Sequence, residues 1–240
     1  MAPPQFVKSL LGFTSGGKPN TADGSSTQSV AIAREVLKLL GITGTALGGQ
    51  AAGAALEDGV RDFLKIDLSR RVPSRNWTVR KGGAISEFQQ YAHLGRLHKL
   101  VVKHEELRVE IGQDYLISPD VTVSFDAGFP RPVLHAAVSC KFSIRSDRVQ
   151  NIRHEGVAMI RHRRGRQPHI VVVTSEPLPS RLAAICRGTG EVDAVYHVCL
   201  PELNAAVQNV GNDEQKAHLS ESIGQGRLYD LDALVQHLTI

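Results

Sequence analysis

Apolar positions recur along this chain at two spacings, one helical and one alternating, and the switches between them lay out its elements. Val30, Ala33, Val36, Leu37 and Leu40 share one face of residues 29–40, which predicts an amphipathic helix. Leu56, Val60, Phe63 and Leu64 predict a second, beginning at Gln50 or Ala51 and ending at Leu68, with Glu57 set beside its apolar stripe. Phe88, Tyr91, Leu94, Leu97 and Val101 predict a third from Ser86, a good N-cap, to about Lys103. Residues 107–144 read as strands with turns, notably the turn at 126–130 and the apolar run 133–138. Helical spacing returns from Asp147 to Ile160, with Val149, Ile152 and Met159 facing inward. The nearly all-apolar run 169–174 suits a central strand covered on both faces. Pro179-Ser180-Arg181 opens a short helix, residues 193–200 read as a strand, and Leu203, Val207, Val210, Leu231, Leu234 and Leu238 mark closing helices. This alternation implies an α/β fold, a mixed central sheet flanked by helices with its site at one sheet end. Residues 1–27, rich in Gly, Pro, Ser and Thr, read as irregular, so the expected division is an arm over 1–28 and one domain over 29–240.

Composition narrows the class without naming a function. With 240 residues, 42% of them hydrophobic, the chain can bury one sizeable core. No apolar run approaches the ~20 residues that span a bilayer. The first residues lack the charged stretch and apolar core of a signal peptide, so a cytoplasmic location is expected. Cys140, Cys186 and Cys199 are too widely spaced for a metal-ligand pattern and fit reduced thiols. His93 and His98 read as surface or packing residues. A net charge of +4 and a pI near 9.1 permit nucleic-acid binding without indicating it.

The chemistry concentrates in residues 118–155. Asp120 enters a β-branched run, and a second strand ends at Lys141; strand alternation puts Ser139 and Lys141 on one face and Cys140 on the other. A carboxylate and a lysine on neighbouring strands are the layout of PD-(D/E)xK metal-dependent nucleases. Phosphodiester cleavage needs carboxylates to hold Mg²⁺ and a cation near the attacking water. The position two before the lysine is Ser139 instead of the expected acid, and Glu155, on the following helix, is the obvious supplier.

The segment Ser139-Cys140-Lys141, then Arg145-Ser146-Asp147-Arg148, then Glu155 resembles the CCGG-family restriction endonucleases, most closely those of the NgoMIV type. The resemblance runs from about Gln50 to Arg181. It implies that Asp120 and Glu155 hold Mg²⁺ with the Cys140 carbonyl, while Lys141 positions or polarises the nucleophilic water. Ser139 would orient a carboxylate or a water, and Glu57 would support a second metal position. Arg145, Asp147 and Arg148 would read the central CCGG, since arginine donates twice to guanine and aspartate accepts from cytosine N4. Arg181 would read the outer guanine with Asp23 as partner to the outer cytosine, and Gln50 would touch the minor groove. The implied site is GCCGGC, cut after the first G to leave a 5′ CCGG overhang. A palindrome implies a homodimer on double-stranded DNA. Relatives of this type pair dimers into tetramers, but the short connection between Asp120 and Lys141 favours a dimer here. A cognate DNA methyltransferase is the expected functional, not physical, partner.

Plainer readings stand beside these. Lys141 could be a strand-end lysine in solvent, Asp120 a turn residue, and Asp147 with Arg148 a surface ion pair of little worth. A repair or structure-specific nuclease would use the metal residues without Arg145–Arg148 or Arg181, and a GC-specific regulator would need no Asp120–Lys141–Glu155 set. The basic run Arg161-His162-Arg163-Arg164-Gly165-Arg166 reads equally as a helix C-terminus or as a phosphate contact.

Overall fold

A computed structural model describes residues 3–112, 115–144, 146–188 and 190–240, apart from the side chains of Glu105, Ser146, Asp147 and Arg148. In chain order its elements are α1 (Gln5–Leu10), α2 (Thr27–Leu39), α3 (Gly49–Arg71), β1 (Trp77–Lys81), α4 (Ala92–Lys103), α5 (Glu105–Ile111), β2 (Val121–Phe125) and β3 (Val133–Lys141). Then come α6 (Ser146–His162), β4 (His169–Thr174), α7 (Pro179–Cys186), β5 (Ala194–His197), α8 (Leu200–Val210), α9 (Asp213–Gly224), β6 (Leu228–Asp230) and α10 (Asp232–His237). The six strands form one sheet in sequential order. β1, β2 and β3 pair antiparallel, and β3 through β6 pair parallel. The expected mixed sheet flanked by helices is therefore present. Among the described residues, no helix is long and apolar enough to cross a membrane.

Two apolar clusters cover the sheet. The larger joins α1, α2, α3 and α8 to Ala136, Val138 and Cys140 of β3 and to the middle of β4. The smaller packs Phe88, Tyr91 and Leu94 with Ala158 and Met159 of α6 against Leu134, Ala137 and Ile170. Leu134 and Ala137 lie in the same cluster because the β2–β3 register skips His135, a bulge that shifts the side-chain alternation by one place. Past the bulge, Cys140 belongs to the larger cluster, as its alternation with Lys141 requires. All three cysteines are buried and free.

Three expectations are corrected. Residues 5–10 are helical where an irregular lead-in was expected: Pro4 precedes the first turn, and Val7, Leu10 and the C-cap Leu11 are buried against the core. The helix expected from Ser86 begins instead at Ala92, after two short 3₁₀ turns at Ile85–Glu87 and Gln89–Tyr91. Residues 105–111 form a helix where strand was expected. Leu107, Val109 and Ile111 alternate, but the Glu- and Arg-rich segment favours helix, and Val109 stays 77% exposed.

Candidate active site

Because β2 and β3 run antiparallel, the start of one and the end of the other share a sheet edge. Val121 pairs with Val138, so Asp120 falls beside Ser139 and Cys140. Asp120 Oδ2 accepts the Cys140 N–H at 2.7 Å and lies 2.6 Å from Lys141 Nζ. The Asp120 carbonyl accepts the Gly82 N–H just past β1, which fixes the aspartate's backbone. Asp120 and Lys141 are each about a quarter exposed, open enough for a ligand to reach them.

Glu155 reaches the same place from α6. Burial raises its pKa above the ordinary carboxylate range; Lys141 opposes the rise, and Asp120 adds to it. The three groups therefore lie within electrostatic reach of one another. Packing sets the approach of α6: Gly156 lies against the Glu191 carbonyl, and Arg153 Nη2 donates to the Ala184 carbonyl at 2.6 Å. Glu57 comes from α3, with Oε2 3.2 Å from Lys81 Nζ at the end of β1. Gln50, Glu57, Asp120, Cys140, Lys141 and Glu155 line one cleft of about 870 Å³. Ser139, two positions back along β3 from Lys141, is half-buried and is not among that cleft's lining residues.

The donor chemistry suits a hard divalent cation. Two carboxylates and a backbone carbonyl are oxygen ligands, and a cation between Asp120 and Glu155 would remove their mutual repulsion. Among the described residues, no three His, Cys, Asp or Glu side chains converge, so water would complete the shell, as Mg²⁺ tolerates.

A second recess of about 550 Å³ adjoins the first, both lined by Ala22 and Ser143. It holds Asp23 and Arg181, which form an ion pair across the recess. The Ser25 hydroxyl and N–H hydrogen-bond Asp23 at 2.6 and 3.0 Å; with Arg181, they hold its carboxyl below the usual range. Arg145 lies outside the described residues, as do the side chains of Asp147 and Arg148. The backbone of the last two forms the first turn of α6, beside this recess, which Ile144 and Val149 also line.

Three residues near these recesses escaped sequence reasoning. Lys81 neutralises Glu57 only because β1 docks against α3. Asn151 lines the cleft one helical turn before Glu155, an i, i+4 relation that could have flagged it. Glu176 is fully buried behind Arg181; it opens the Glu-Pro-Leu-Pro-Ser-Arg segment that ends at Arg181, but the resemblance gives a role there to the arginine alone. The basic run 161–166 begins at the C-terminal end of α6, while the cleft lies nearer the other end of this 17-residue helix, roughly 25 Å long. One of the run's arginines, Arg163, donates to the Ile160 carbonyl, the helix-terminus role.

A family model described as NgoMIV restriction enzyme matches residues 10–129 and 127–240 of this chain. The chain is also 35% identical over 266 aligned positions to the type II restriction enzyme NgoMIV of Neisseria gonorrhoeae, covering 96% of this chain and 93% of that protein. Among solved structures it is similar to Bse634I restriction endonuclease, with a TM-score of 0.41 and 16% identity over 74% of this chain and 81% of that one. A structure of the type IIF restriction endonuclease Bse634I with cognate DNA gives 0.39 and 14% identity over 75% and 82%.

Proposed function

The chain belongs to the NgoMIV restriction-enzyme family and is a type II site-specific deoxyribonuclease; from that premise we propose that it uses Mg²⁺ to cut both strands of GCCGGC. That Asp120, Lys141, Glu155 and Glu57 line one cleft, next to the Asp23–Arg181 recess, carries this reading. Asp120, Glu155 and the Cys140 carbonyl would hold the cation, which when bound stabilises the negative charge gathering on the phosphate. Lys141 polarises the attacking water and helps to orient Asp120. Ser139 orients a neighbouring carboxylate or water, and Glu57 supports a second cation position once Lys81 yields it. Cys140 acts through its backbone alone, because burial pushes its thiol well above its ordinary pKa.

Arg145, Asp147 and Arg148 read the central G·C pairs in the major groove, Arg181 with Asp23 reads the outermost pair, and Gln50 touches the minor groove. Three pairs read per subunit on a palindrome call for a two-fold homodimer. Residues 126–132, the whole connection between β2 and β3, are too few to bury by themselves the ~1,000 Å² of a stable further interface, which favours a dimer over a tetramer. A cognate methyltransferase protects the host's own sites. Incubation with Mg²⁺ and a plasmid holding a known number of GCCGGC sites tests the reading. Discrete fragments ending in 5′ CCGG overhangs are expected; smearing, or fragments that map elsewhere, would overturn it.

A further inference from the structure

Lys141 and Thr174 form the last ladder pair between β3 and β4, and beyond them side chains carry the pairing onward. Ser175 Oγ donates to the Phe142 carbonyl at 2.6 Å. Glu176 then joins two segments with one carboxylate: Oε2 accepts the Ile144 N–H at 2.7 Å, and Oε1 accepts the Leu178 N–H at 3.1 Å. Ile144 immediately precedes Arg145, and Leu178 is the cap of α7, three residues ahead of Arg181. The glutamate's own backbone is pinned as well. Its N–H donates to Thr174 Oγ1 at 3.1 Å, and its carbonyl faces His197 Nε2 at 3.2 Å.

A fully buried carboxylate is a costly way to satisfy two backbone donors. Burial pushes its pKa up to about 7 against the pull of the two N–H groups and of Arg181, whose Nη1 stands 3.9 Å away; Asp23 adds to the rise. We propose that Glu176 is a positioning residue for base reading, holding the short loop after β3 that leads into Arg145–Arg148 and the helix that presents Arg181 as one surface. The inference rests on taking those arginines as base contacts. It adds that the inner and outer readings are not independent, because both depend on one carboxylate that touches no base.

Two substitutions separate this role from simple stability. Glutamine has the same shape, but only one of its terminal atoms accepts, so an amide N–H would face one of the two backbone donors. Aspartate keeps the charge beneath Arg181 but is a methylene too short to span both. The experiment measures metal-free competition binding by wild type, Glu176→Gln, Glu176→Asp and Arg181→Ala. The competitors are duplexes in which GCCGGC is changed one pair at a time, and each protein is also melted. Wild type is expected to prefer GCCGGC, and Arg181→Ala to lose preference at the outermost pair alone. Both Glu176 variants are expected to melt cooperatively and to lose about tenfold preference at the outermost and central pairs together. The inference is overturned by loss at the outermost pair alone, by full recovery in Glu176→Asp, or by one uniform factor on every sequence. Failure of both variants to fold overturns it too, since Glu176 would then determine the fold and not the reading. A wild type without sequence preference overturns the site reading and this inference together, whereas a selective wild type matched by its Glu176 variants overturns the inference alone.

Discussion

Lys141 Nζ and Asp120 Oδ2 lie 2.6 Å apart, so the cation and the carboxylate of the cleft hold each other in place. On the proposed reading, Lys141→Ala removes the group beside the attacking water and leaves the base-reading residues untouched. Cleavage should fall by at least about a hundredfold, while cognate binding without metal changes little. Single-turnover cleavage beside a binding titration checks this. Cutting at the wild-type rate would remove Lys141 from the chemistry.

On the proposed reading, Arg181→Ala deletes one bidentate guanine contact per subunit. Discrimination at the outermost pair should weaken by ~1–3 kcal/mol for each arginine–guanine pair removed. Binding to singly substituted sites measures it, and equal weakening on every sequence would reassign Arg181 to phosphate contact.

Gly156→Ala would press a methyl carbon to 2.3 Å from the Glu191 carbonyl oxygen. Backbone must move to accept it, at ~1–3 kcal/mol, and α6 carries Glu155 and Asn151 with it. We expect a lower melting temperature and a larger loss in cleavage than in cognate binding. A variant that melts and cuts like wild type would show that this helix contact is slack.

His135 is only 4% exposed, with Nε2 2.7 Å from the Leu238 carbonyl and the rings of Trp77, Phe125 and His169 around it. Burial depresses its pKa to about 4, so the neutral ring donates to Leu238. A depressed folded-state pKa contributes stability that is fully present above about 6.5 and lost as pH falls toward 4. Glu176 runs the opposite way, its raised pKa withdrawing stability as pH climbs from 4.5 to about 7. Comparison of wild type with His135→Gln by denaturant titration isolates the histidine. The difference should shrink by at most about 1.4 kcal/mol per pH unit on acidification through that window, and parallel curves would refute the assignment.

Much of this arrangement was legible because its signals are local. Strand β4 is an unbroken apolar run, and Leu56, Val60 and Leu64 repeat at helical spacing; both features survive any neighbour. Edge strands β1 and β6 are short and half-buried, and only their partners make them strands, so neither stood out. Helix α5 was misread because alternation at Leu107, Val109 and Ile111 coincided with residues whose backbone preference is helical. Asp120, Lys141 and Glu155 were found through a motif with ordered spacing. Lys81 and Glu176 have no such spacing: the first meets Glu57 across a strand–helix contact, and the second ties a backbone N–H two positions away to one thirty-two positions away.

Residues 126–132 turn the chain at the end of β2 and β3 opposite Asp120 and Lys141. A five-residue strand stands between that turn and the chemistry, a separation of roughly 17 Å. Length added or removed there leaves the pairing of Asp120 with Lys141 and the parallel half of the sheet in place. Such a hairpin is an adjustable fitting on a fixed machine. The surface that this turn offers to a further copy of the chain can change while the cleft keeps its geometry.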